Sequence, residues 1–414
     1  MKIVQINAVY EYSSTGRTTK EMHLSLKDRG IDSYVFCTNK SIPEDKVFLI
    51  GSKLDYKLHA ALSRILGLQG YFSHFATNKL LKQLKVIQPD VVILRNLHAN
   101  YINVPMLLEF LAKNNIPTID VLHDCWSYTG HCCYYTEDGC DKWQTECHHC
   151  PILHKYNTSL FFDNSTRIFR MKKSEFGKLK NLAVIGVSKW IANEGRLSPV
   201  FANAKIIKYI YNWISLDIFY PRQTVELRKK LGIEKDDFIV LGVSQKWSDY
   251  KGLNHFITIA NKIPDVKILM VGYVPDGVIL PDNVISVPPV SSPDELATYY
   301  SLGDVFLNFS IQETFGKVTA EALACGTPLI VNNATANPEL CGNGCGFVID
   351  NNDHEQMIKA IKTIRKNGKS AYSNICRSFA QNNFDKEKGI NNYVALFLEM
   401  IKTSQNEQRI YKLF

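Results

Sequence analysis

The chain has 414 residues, more than the roughly 250–300 that a single hydrophobic core usually supports, so we expect two domains. Apolar residues make up 45% and charged residues 21% of the chain, which excludes a fibrous or largely disordered protein. The net charge of +8 is spread widely and forms no dense basic run, which argues against a nucleic-acid partner.

The first residues, Met1–Asn7, are typical of a short apolar strand. They do not resemble a signal peptide, because the apolar run is brief and no small-residue cleavage site follows it. No stretch approaches the ~18 uninterrupted apolar residues that a membrane-spanning helix needs. We therefore expect a cytoplasmic protein.

Apolar strands alternate with helical segments along both halves of the chain, and this alternation predicts parallel sheets with crossover helices. The elements predicted in the first half are strands Lys2–Asn7, Ser33–Cys37, Asp90–Leu94, Thr118–Leu122 and Ala183–Val187, and helices Arg17–Arg29 and Val104–Lys113. Those predicted in the second half are strands Phe238–Val243, Lys267–Val271, Val284–Val287, Val305–Asn308 and Leu329–Val331, and helices Leu253–Lys262, Pro293–Leu302, Lys317–Cys325, Glu355–Arg365 and Lys388–Lys402.

This pattern predicts an α/β protein with two Rossmann-like domains. We expect residues 1–212 to form the first domain, with a cysteine-rich segment at 123–151, and residues 213–388 to form the second. The helix in residues 389–414 is expected to cross back to the first domain. Open α/β sheets bind ligands at the carboxyl ends of their strands, so we expect a site in a cleft between the domains.

The strongest local pattern lies in the second half, where strand Val305–Asn308 leads through a loop into helix Lys317–Cys325. Backbone amides at the start of such a helix suit a phosphate or a sugar hydroxyl. Glu313 precedes the helix and Glu321 lies about one turn inside it. The two carboxylates could accept vicinal hydroxyls of a ribose and a hexose. The alternative is that both are ordinary solvated glutamates.

Glu313-x7-Glu321, followed by the run Ala322–Pro328, resembles the donor-site signature of family 4 retaining glycosyltransferases. The resemblance implies the GT-B fold, with a nucleotide sugar on the C-terminal domain and the acceptor on the N-terminal domain. It implies that Glu321 binds the donor ribose. It also implies that the donor sugar is bound by Glu313, which we take as a catalytic residue, and by the backbone of Thr314, Phe315 and Gly316.

Lys251 precedes Gly252 at the start of the second domain's first helix, where a lysine can neutralise a diphosphate. A solvated lysine is the alternative. The family usually has an arginine six residues earlier, and here that position is Gln245. Lys246 and Arg17 are the candidates to replace its charge.

In the first half, Gly16 lies in a turn before a predicted helix and resembles the family's first loop, which closes over the donor phosphates. A simple capped turn is the alternative. His123 follows strand Thr118–Leu122, and the resemblance places it beside the donor sugar as a catalytic residue. Asp124 is predicted to orient His123 or to bind the acceptor, and His98 to contact the acceptor.

Six of the eleven cysteines lie between Cys125 and Cys150. Cys147-x2-Cys150, together with Cys132 and Cys140, has the spacing of a structural zinc site with four thiolates. Unligated buried cysteines and disulfides are the alternatives, and His148 or His149 could replace one thiolate. This segment resembles a subset of family 4 bacterial enzymes that make surface polysaccharides.

The resemblance implies transfer of a hexose from a nucleotide sugar to a glycan or lipid-linked oligosaccharide, with retention of anomeric configuration by front-face transfer. No Asp-x-Asp sequence occurs, so we expect no catalytic metal. A nucleotide-sugar epimerase of the same fold and a non-enzymatic sugar-nucleotide or glycan-binding protein are the alternatives. The basic amphipathic segment Lys53–Leu66 could rest on an anionic leaflet at the inner face of the plasma membrane, or pack against the first domain.

Overall fold

The computed structural model describes residues 1–41, 43–350 and 353–411, with residues 405–411 described by their backbone alone. The chain divides into two compact units. Unit 1 consists of Met1–Ile210 and the chain from Ile390 onward, and unit 2 consists of Tyr211–Gly389.

Within the described residues, unit 1 contains one sheet of seven parallel strands in the order β3-β2-β1-β4-β5-β6-β7. The strands are β1 Lys2–Ile6, β2 Asp32–Cys37, β3 Val47–Leu49, β4 Val91–Leu94, β5 Thr118–Leu122, β6 Leu182–Gly186 and β7 Ile206–Tyr209. The helices are α1 Ser13–Asp28, α2 Lys53–Leu66, α3 His74–Ile87, α4 Val104–Lys113, α5 Ser165–Gly177 and α6 Lys189–Leu197. The central strands β1, β4, β5 and β6 are mostly apolar and buried along almost their whole length, as expected where helices cover both faces of a parallel sheet.

Unit 2 repeats the scheme, and its described residues form six parallel strands in the order β10-β9-β8-β11-β12-β13. The strands are β8 Ile239–Lys246, β9 Lys267–Tyr273, β10 Val284–Val287, β11 Val305–Asn308, β12 Leu329–Asn332 and β13 Gly346–Ile349. The helices are α7 Val225–Lys230, α8 Leu253–Lys262, α9 Pro293–Leu302, α10 Lys317–Ala324, α11 Asn337–Leu340, α12 His354–Asn367 and α13 Ser370–Asn383.

The last helix, α14 Lys386–Tyr411, begins in unit 2 and belongs to unit 1 from Ile390 onward. Its residues Ile390, Leu396 and Phe397 are fully buried. The side-chain amide of Asn181, just before β6, donates to the Met400 carbonyl at 3.0 Å and to the Ser404 hydroxyl at 2.6 Å. The helix is thus an integral part of the core of unit 1.

The α/β fold with two Rossmann-like sheets is confirmed, and the strands that the sequence analysis missed lie at sheet edges. Strands β3, β7 and β13 are edge strands of three or four residues. Since an edge strand is only half covered, β7 and β13 lack the continuous apolar run that marks a central strand. In the part of the chain that is described, no helix combines the length and apolar character needed to cross a bilayer.

Candidate functional site

In unit 2 the strand order reverses between β8 and β11, and the loops that follow these two strands meet. Lys251, after β8, places its Nζ 2.6 Å from Glu313 Oε1 and 3.3 Å from Ser310 Oγ, both after β11. Both partners of the ion pair are partly exposed. A sheet binds ligands at such a switch point, so two residues predicted separately are brought together where a ligand is expected.

Buried side-chain amides hold the loop between β11 and α10. Asn308 donates to Thr319 Oγ1 at 2.8 Å, and Asn337 donates to the Ser310 carbonyl at 2.7 Å. The Glu313 amide donates to Thr335 Oγ1 at 3.1 Å. The sequence analysis missed these supporting residues, because a buried asparagine in a loop carries no motif of its own.

Two glycines shape the turns on either side of the ion pair. Gly316, at the N-terminus of α10, and Gly252, before α8, both have φ of 84°. A side chain at Gly252 would also place its Cβ 2.8 Å from Phe309 Cβ. The turn at Gly316 leaves the first amides of α10 with no acceptor within the helix, as at any helix start, so they can face an anion.

Glu321 lies inside α10 and is only 2% exposed. The Tyr300 hydroxyl, from α9, donates to Glu321 Oε2 at 2.9 Å, and Thr327 Oγ1 donates to the Tyr300 carbonyl at 2.6 Å. Glu321 is therefore not a solvated residue on a helix surface. Tyr300 orients its carboxylate, and the sequence pattern gave no sign of this partner.

Thr314 and Phe315 are both buried in the loop before α10. The Phe315 ring packs edge-to-face against Phe384 at 5.3 Å and lies 6.1 Å from Tyr211. This ring is part of the unit's packing, so Phe315 can contribute its backbone to a ligand. Gln245 and Lys246 lie on the exposed end of β8, and the Lys246 ammonium lies 5.8 Å from the Tyr273 ring.

In unit 1, His123 directly follows β5 and is 8% exposed. Arg95, which follows β4 and is buried, places Nη1 2.8 Å from His123 Nε2. A guanidinium can only donate, so Nε2 is the acceptor and the neutral imidazole carries its proton on Nδ1. Burial and the neighbouring Arg95 lower the pKa of His123 to about 3. His123 is thus a neutral hydrogen-bond donor, and the sequence analysis missed Arg95.

A second polar group in unit 1 lies beside the ends of β4 and β5. Asp124 Oδ2 accepts from His98 Nε2 and from Asn96 Nδ2, both at 2.8 Å, and Cys133 Sγ lies 4.0 Å from the His98 ring nitrogens. Ligand atoms of His98, Asp124 and Cys133 lie within 4.8 Å of one another. Cys133 was not among the predicted site residues.

The charges of this group are coupled. Burial alone would lower the pKa of His98, but the neighbouring Cys133 and Asp124 raise it well above the usual value. Burial likewise opposes ionisation of Asp124, yet its pKa is lowered by the facing His98. The pair is therefore an imidazolium and a carboxylate at neutral pH. Asp124 orients His98 by a direct hydrogen bond, where the sequence analysis expected it to orient His123 or bind the acceptor.

Gly16 lies within the first turn of α1, which begins at Ser13, whereas the sequence analysis placed it in a turn before the helix. Its carbonyl accepts from the Glu11 amide at 3.1 Å. The helix thus begins four residues before Arg17, where the sequence analysis had placed its start. Arg17 itself is exposed.

The cysteine-rich segment between β5 and α5 is organised around a buried lysine. Lys172 of α5 is fully buried, and its ammonium donates to the carbonyls of Trp126 and Thr129. It also lies 3.3 Å from the centre of the Trp126 ring. Because these carbonyls belong to the short turn after His123–Asp124, Lys172 fixes the backbone next to the polar group of unit 1.

The four predicted metal ligands, Cys132, Cys140, Cys147 and Cys150, all line one cavity of about 20 Å³. Burial, with a smaller contribution from the neighbouring thiols, raises the pKa of Cys147 to about 12. Burial, with smaller contributions from Asp163 and Cys140, raises the pKa of Cys150 to about 11. The set is therefore close enough to interact electrostatically. Its sulfur atoms are not drawn together as ligands, however, because among the described residues the group with ligand atoms within 4.8 Å of one another is His98, Asp124 and Cys133. All eleven cysteines, each within the described residues, are free thiols.

Comparison with known families identifies the segment that carries the Lys251–Glu313 pair. Residues 223–386 match the family described as Glycosyl transferases group 1. This segment, less than half of the chain, is similar to the Glycosyl transferases group 1 domain. The domain lies entirely within unit 2 and includes Lys251, Glu313 and Glu321.

Two curated relatives also share sequence with the chain. An uncharacterised 41.2 kDa protein of the cps region of Klebsiella pneumoniae is 27% identical over 46% of this chain and 54% of its own length. The N-acetyl-alpha-D-glucosaminyl L-malate synthase of Bacillus anthracis is 25% identical over 56% of this chain and 63% of its own length. The chain thus matches little more than half the length of these relatives.

Solved structures match both units of the chain. Sucrose-phosphate synthase from Thermosynechococcus elongatus has a TM-score of 0.65 at 18% identity, covering 97% of this chain and 100% of its own. Anabaena HepE in complex with UDP has a TM-score of 0.66 at 18% identity, covering 96% and 100%. The fold is that of GT-B glycosyltransferases.

Proposed function

We propose that the protein is a retaining glycosyltransferase that moves a hexose from a nucleotide sugar to a glycan or lipid-linked acceptor in surface-polysaccharide biosynthesis. The observation that carries the proposal is the contact of Lys251 Nζ with Glu313 Oε1 at 2.6 Å, at the strand-order reversal of unit 2. A cation, a carboxylate and a helix N-terminus then converge on one point, as a donor with a diphosphate and a sugar requires.

Donor binding would exchange the partners of this pair. The diphosphate takes the Lys251 ammonium and the first amides of α10, and Glu313 then accepts hydrogen bonds from the sugar hydroxyls. Glu321, oriented by Tyr300, accepts from the ribose, while the backbone of Thr314–Gly316 lies along the sugar. Lys251 and the helix N-terminus stabilise the charge that develops on the leaving nucleotide, so we propose that catalysis needs no metal ion.

In unit 1, we propose that His123 donates from Nδ1 to a hydroxyl of the donor sugar, because Arg95 occupies Nε2. His98, as an imidazolium held by Asp124, is a donor suited to an acceptor hydroxyl or phosphate. Gly16, in the first turn of α1, remains our proposed contact for the donor phosphates, now through the N-terminus of this helix and not through a loop. Transfer breaks the bond from the anomeric carbon to the phosphate oxygen and forms a bond to the acceptor oxygen on the same face, while the proton of the acceptor hydroxyl passes to the leaving phosphate oxygen.

The relatives support the choice of substrates. Anabaena HepE has been solved with UDP and glucose and with UDP-glucose, which supports a nucleotide-sugar donor. The location of the Klebsiella relative in a cps region supports a role in surface polysaccharide. A lipid-linked acceptor would place the reaction at the inner face of the plasma membrane.

Binding of a panel of UDP-, GDP- and ADP-sugars, measured by thermal shift, tests the donor site. A ligand at 100 times its dissociation constant stabilises the folded protein by about 2.7 kcal/mol, so a true donor raises the melting temperature clearly. Lys251→Ala should weaken its binding roughly tenfold or more, because a hydrogen bond to a charged group is lost. Lys359→Ala, an exposed lysine on α12, is the matched control and should leave binding unchanged.

Product analysis then separates the enzyme from its alternatives. The proposal expects a glycoside of retained configuration, and Glu313→Ala should lose turnover while remaining folded. Release of a free epimerised sugar would identify an epimerase instead. Tight donor binding without any turnover on a panel of glycan and lipid-linked acceptors would favour a binding protein, and an inverted product would contradict the retaining mechanism.

We further propose that Cys132, Cys140, Cys147 and Cys150 hold a structural zinc ion. Four thiols around one small cavity match the ligand chemistry of such sites, and the bound ion would fix the segment between β5 and α5. Metal analysis should find about one zinc per chain, and Cys147→Ser and Cys150→Ser should each lose it. Cys341→Ser, in unit 2, is the control, and retention of zinc in the first two variants would contradict the assignment.

A further inference from the structure

Helix α2 reverses the usual arrangement of an amphipathic helix. Its outward residues Leu54, Leu58 and Ile65 are 75%, 59% and 44% exposed. Its inward face carries His59 and Ser63, which are almost fully buried. His59 is held there by a 2.7 Å hydrogen bond between Nδ1 and the Ser73 hydroxyl. Ala60 is also buried on this face. The helix therefore packs on the unit through small and polar side chains, and Leu54, Leu58 and Ile65 remain exposed.

A second exposed apolar set lies at the C-terminal end of α2. Leu160, Phe161 and Phe162 are 51%, 71% and 54% exposed. The Leu160 amide donates to the Arg64 carbonyl at 2.7 Å, and Asn164 Nδ2 donates to the Leu66 carbonyl at 2.6 Å. These bonds hold the segment against the end of the helix. The α2 apolar surface, as we name it, consists of Leu54, Leu58, Ile65, Leu160, Phe161 and Phe162.

Basic side chains flank this surface. Lys53, Lys57 and Arg64 are exposed, and at 100° per residue they share one side of α2 next to the Leu54–Leu58–Ile65 stripe. The single acidic residue of the helix, Asp55, is engaged in the N-terminal capping box with Ser52. The free charge beside the apolar stripe is therefore positive.

A cavity of about 470 Å³ opens at the first turn of the same helix, and more of its lining is apolar than polar. The apolar side chains of Val9 and Ile50 line it together with the polar groups of Tyr12, Asn39 and Lys53. Aromatic and amide groups of this kind suit the polar head of a lipid whose chains lie along the apolar stripe.

We propose that the α2 apolar surface docks on an anionic lipid leaflet, with the apolar side chains in the headgroup region and the lysines and arginine on lipid phosphates. Apolar exposure beside a basic flank is the arrangement of helices that lie in a membrane interface. A second copy of the chain is the less suitable occupant. In a two-fold dimer the same patch meets itself, and the basic flanks would then repel each other.

Flotation of the full-length protein with phosphatidylglycerol–phosphatidylcholine vesicles and with pure phosphatidylcholine vesicles tests the proposal. The wild type should float with the anionic vesicles and much less with the neutral ones. Leu58→Glu with Ile65→Glu should reduce the bound fraction at least tenfold. Lys57→Glu with Arg64→Glu should weaken binding by at least fivefold for each basic residue removed, since each contributes about that factor near an anionic surface.

The controls carry the same changes elsewhere on exposed surface. Ile279→Glu replaces an isolated residue that is 89% exposed, and Lys359→Glu with Lys362→Glu reverses two exposed charges on α12. Both should bind like the wild type.

Absence of lipid-dependent flotation would overturn the proposal, as would an equal loss of vesicle binding in the control variants. A dimer in gel filtration that Leu58→Glu dissociates, without lipid binding, would identify a second copy as the occupant. Donor-induced thermal shift should be unchanged in all variants, which separates this result from the proposed activity.

Discussion

Among single residues, the charged groups of unit 2 hold one another in place before any ligand arrives. Lys251 neutralises Glu313, and Tyr300 holds the buried carboxylate of Glu321. Under the proposed function, a donor would replace one set of partners with another, and little side-chain order would have to be created on binding. In unit 1, Arg95 likewise holds His123 in place, and Asp124 holds His98.

Replacing Tyr300 by Phe should raise the dissociation constant of the nucleotide sugar about two- to tenfold, because one hydrogen bond to Glu321 is removed. Isothermal titration measures the change, and steady-state kinetics should show a raised KM with kcat nearly unchanged. Tyr299→Phe, at the neighbouring position on α9, is the control. An unchanged affinity in Tyr300→Phe would mean that Tyr300 does not orient Glu321 for ligand binding.

Asp124→Asn should lower the pKa of His98, since the carboxylate that favours the imidazolium is removed. In the wild type, the raised pKa of His98 contributes stability that is present below its unfolded value of about 6.5 and is lost as pH rises through the folded value. The melting temperature of the wild type should therefore fall at alkaline pH, and that of Asp124→Asn should fall less. Imidazole NMR shifts report the pKa directly, and a His98 that is neutral at pH 7 in the wild type would contradict this account.

At the scale of elements, the sequence predicted the strands and helices that have a continuous apolar run or a clear strand–helix junction. The central strands and helices α4, α8 and α9 appear where expected, because each is a continuous apolar run or an amphipathic segment with clear ends. Lys251 and Glu313, predicted on separate loops, are brought together by the order of β8 and β11.

The remaining features depend on packing that a single sequence does not display. Arg95 and Tyr300 act through partners distant in sequence, and no local pattern marks either residue. The orientation of α2 is the clearest case. The sequence left open whether this segment rests on a leaflet or packs against the first domain, and the structure shows that the side with His59, Ala60 and Ser63 is the buried one. The spacing of the apolar residues predicts that they share one side of the helix, but only the tertiary structure shows whether that side faces the core or solvent.

The turn after β5 depends on one lysine from α5. Lys172→Met should leave the Trp126 and Thr129 carbonyls buried without their donor, at about 1–3 kcal/mol for each. We expect a clear drop in melting temperature and weaker acceptor use, since this turn adjoins Asp124. Lys173→Met, at the exposed neighbouring position, should change neither. Equal stability of the two variants would show that the carbonyls find other partners.

At the scale of the whole molecule, unit 1 is built from two stretches of the chain and unit 2 from one. The returning part of α14 contributes fully buried side chains to unit 1. The fold of unit 1 therefore depends on residues that follow unit 2 in the sequence, whereas unit 2 is continuous.

Leu396→Ala should destabilise unit 1 by about 2–5 kcal/mol, because it leaves a cavity at a fully buried position of α14. Hydrogen exchange should accelerate in β1 and β4–β6, while the strands of unit 2 keep their protection. Leu398→Ala, a leucine of the same helix that is 50% exposed, is the matched control. Equal acceleration in both units would show that they unfold as one cooperative block.

The return of α14 also sets an order of events on the ribosome. Unit 2 is complete once Gly389 has emerged, but unit 1 still lacks its final helix at that time. Domains usually fold as they emerge, the N-terminal one first. Here unit 1 is synthesised first but cannot bury α14 until unit 2 has also been translated. Nascent chains that end at Gly389 and continue in an unrelated linker long enough to span the exit tunnel should therefore resist protease in unit 2 before unit 1.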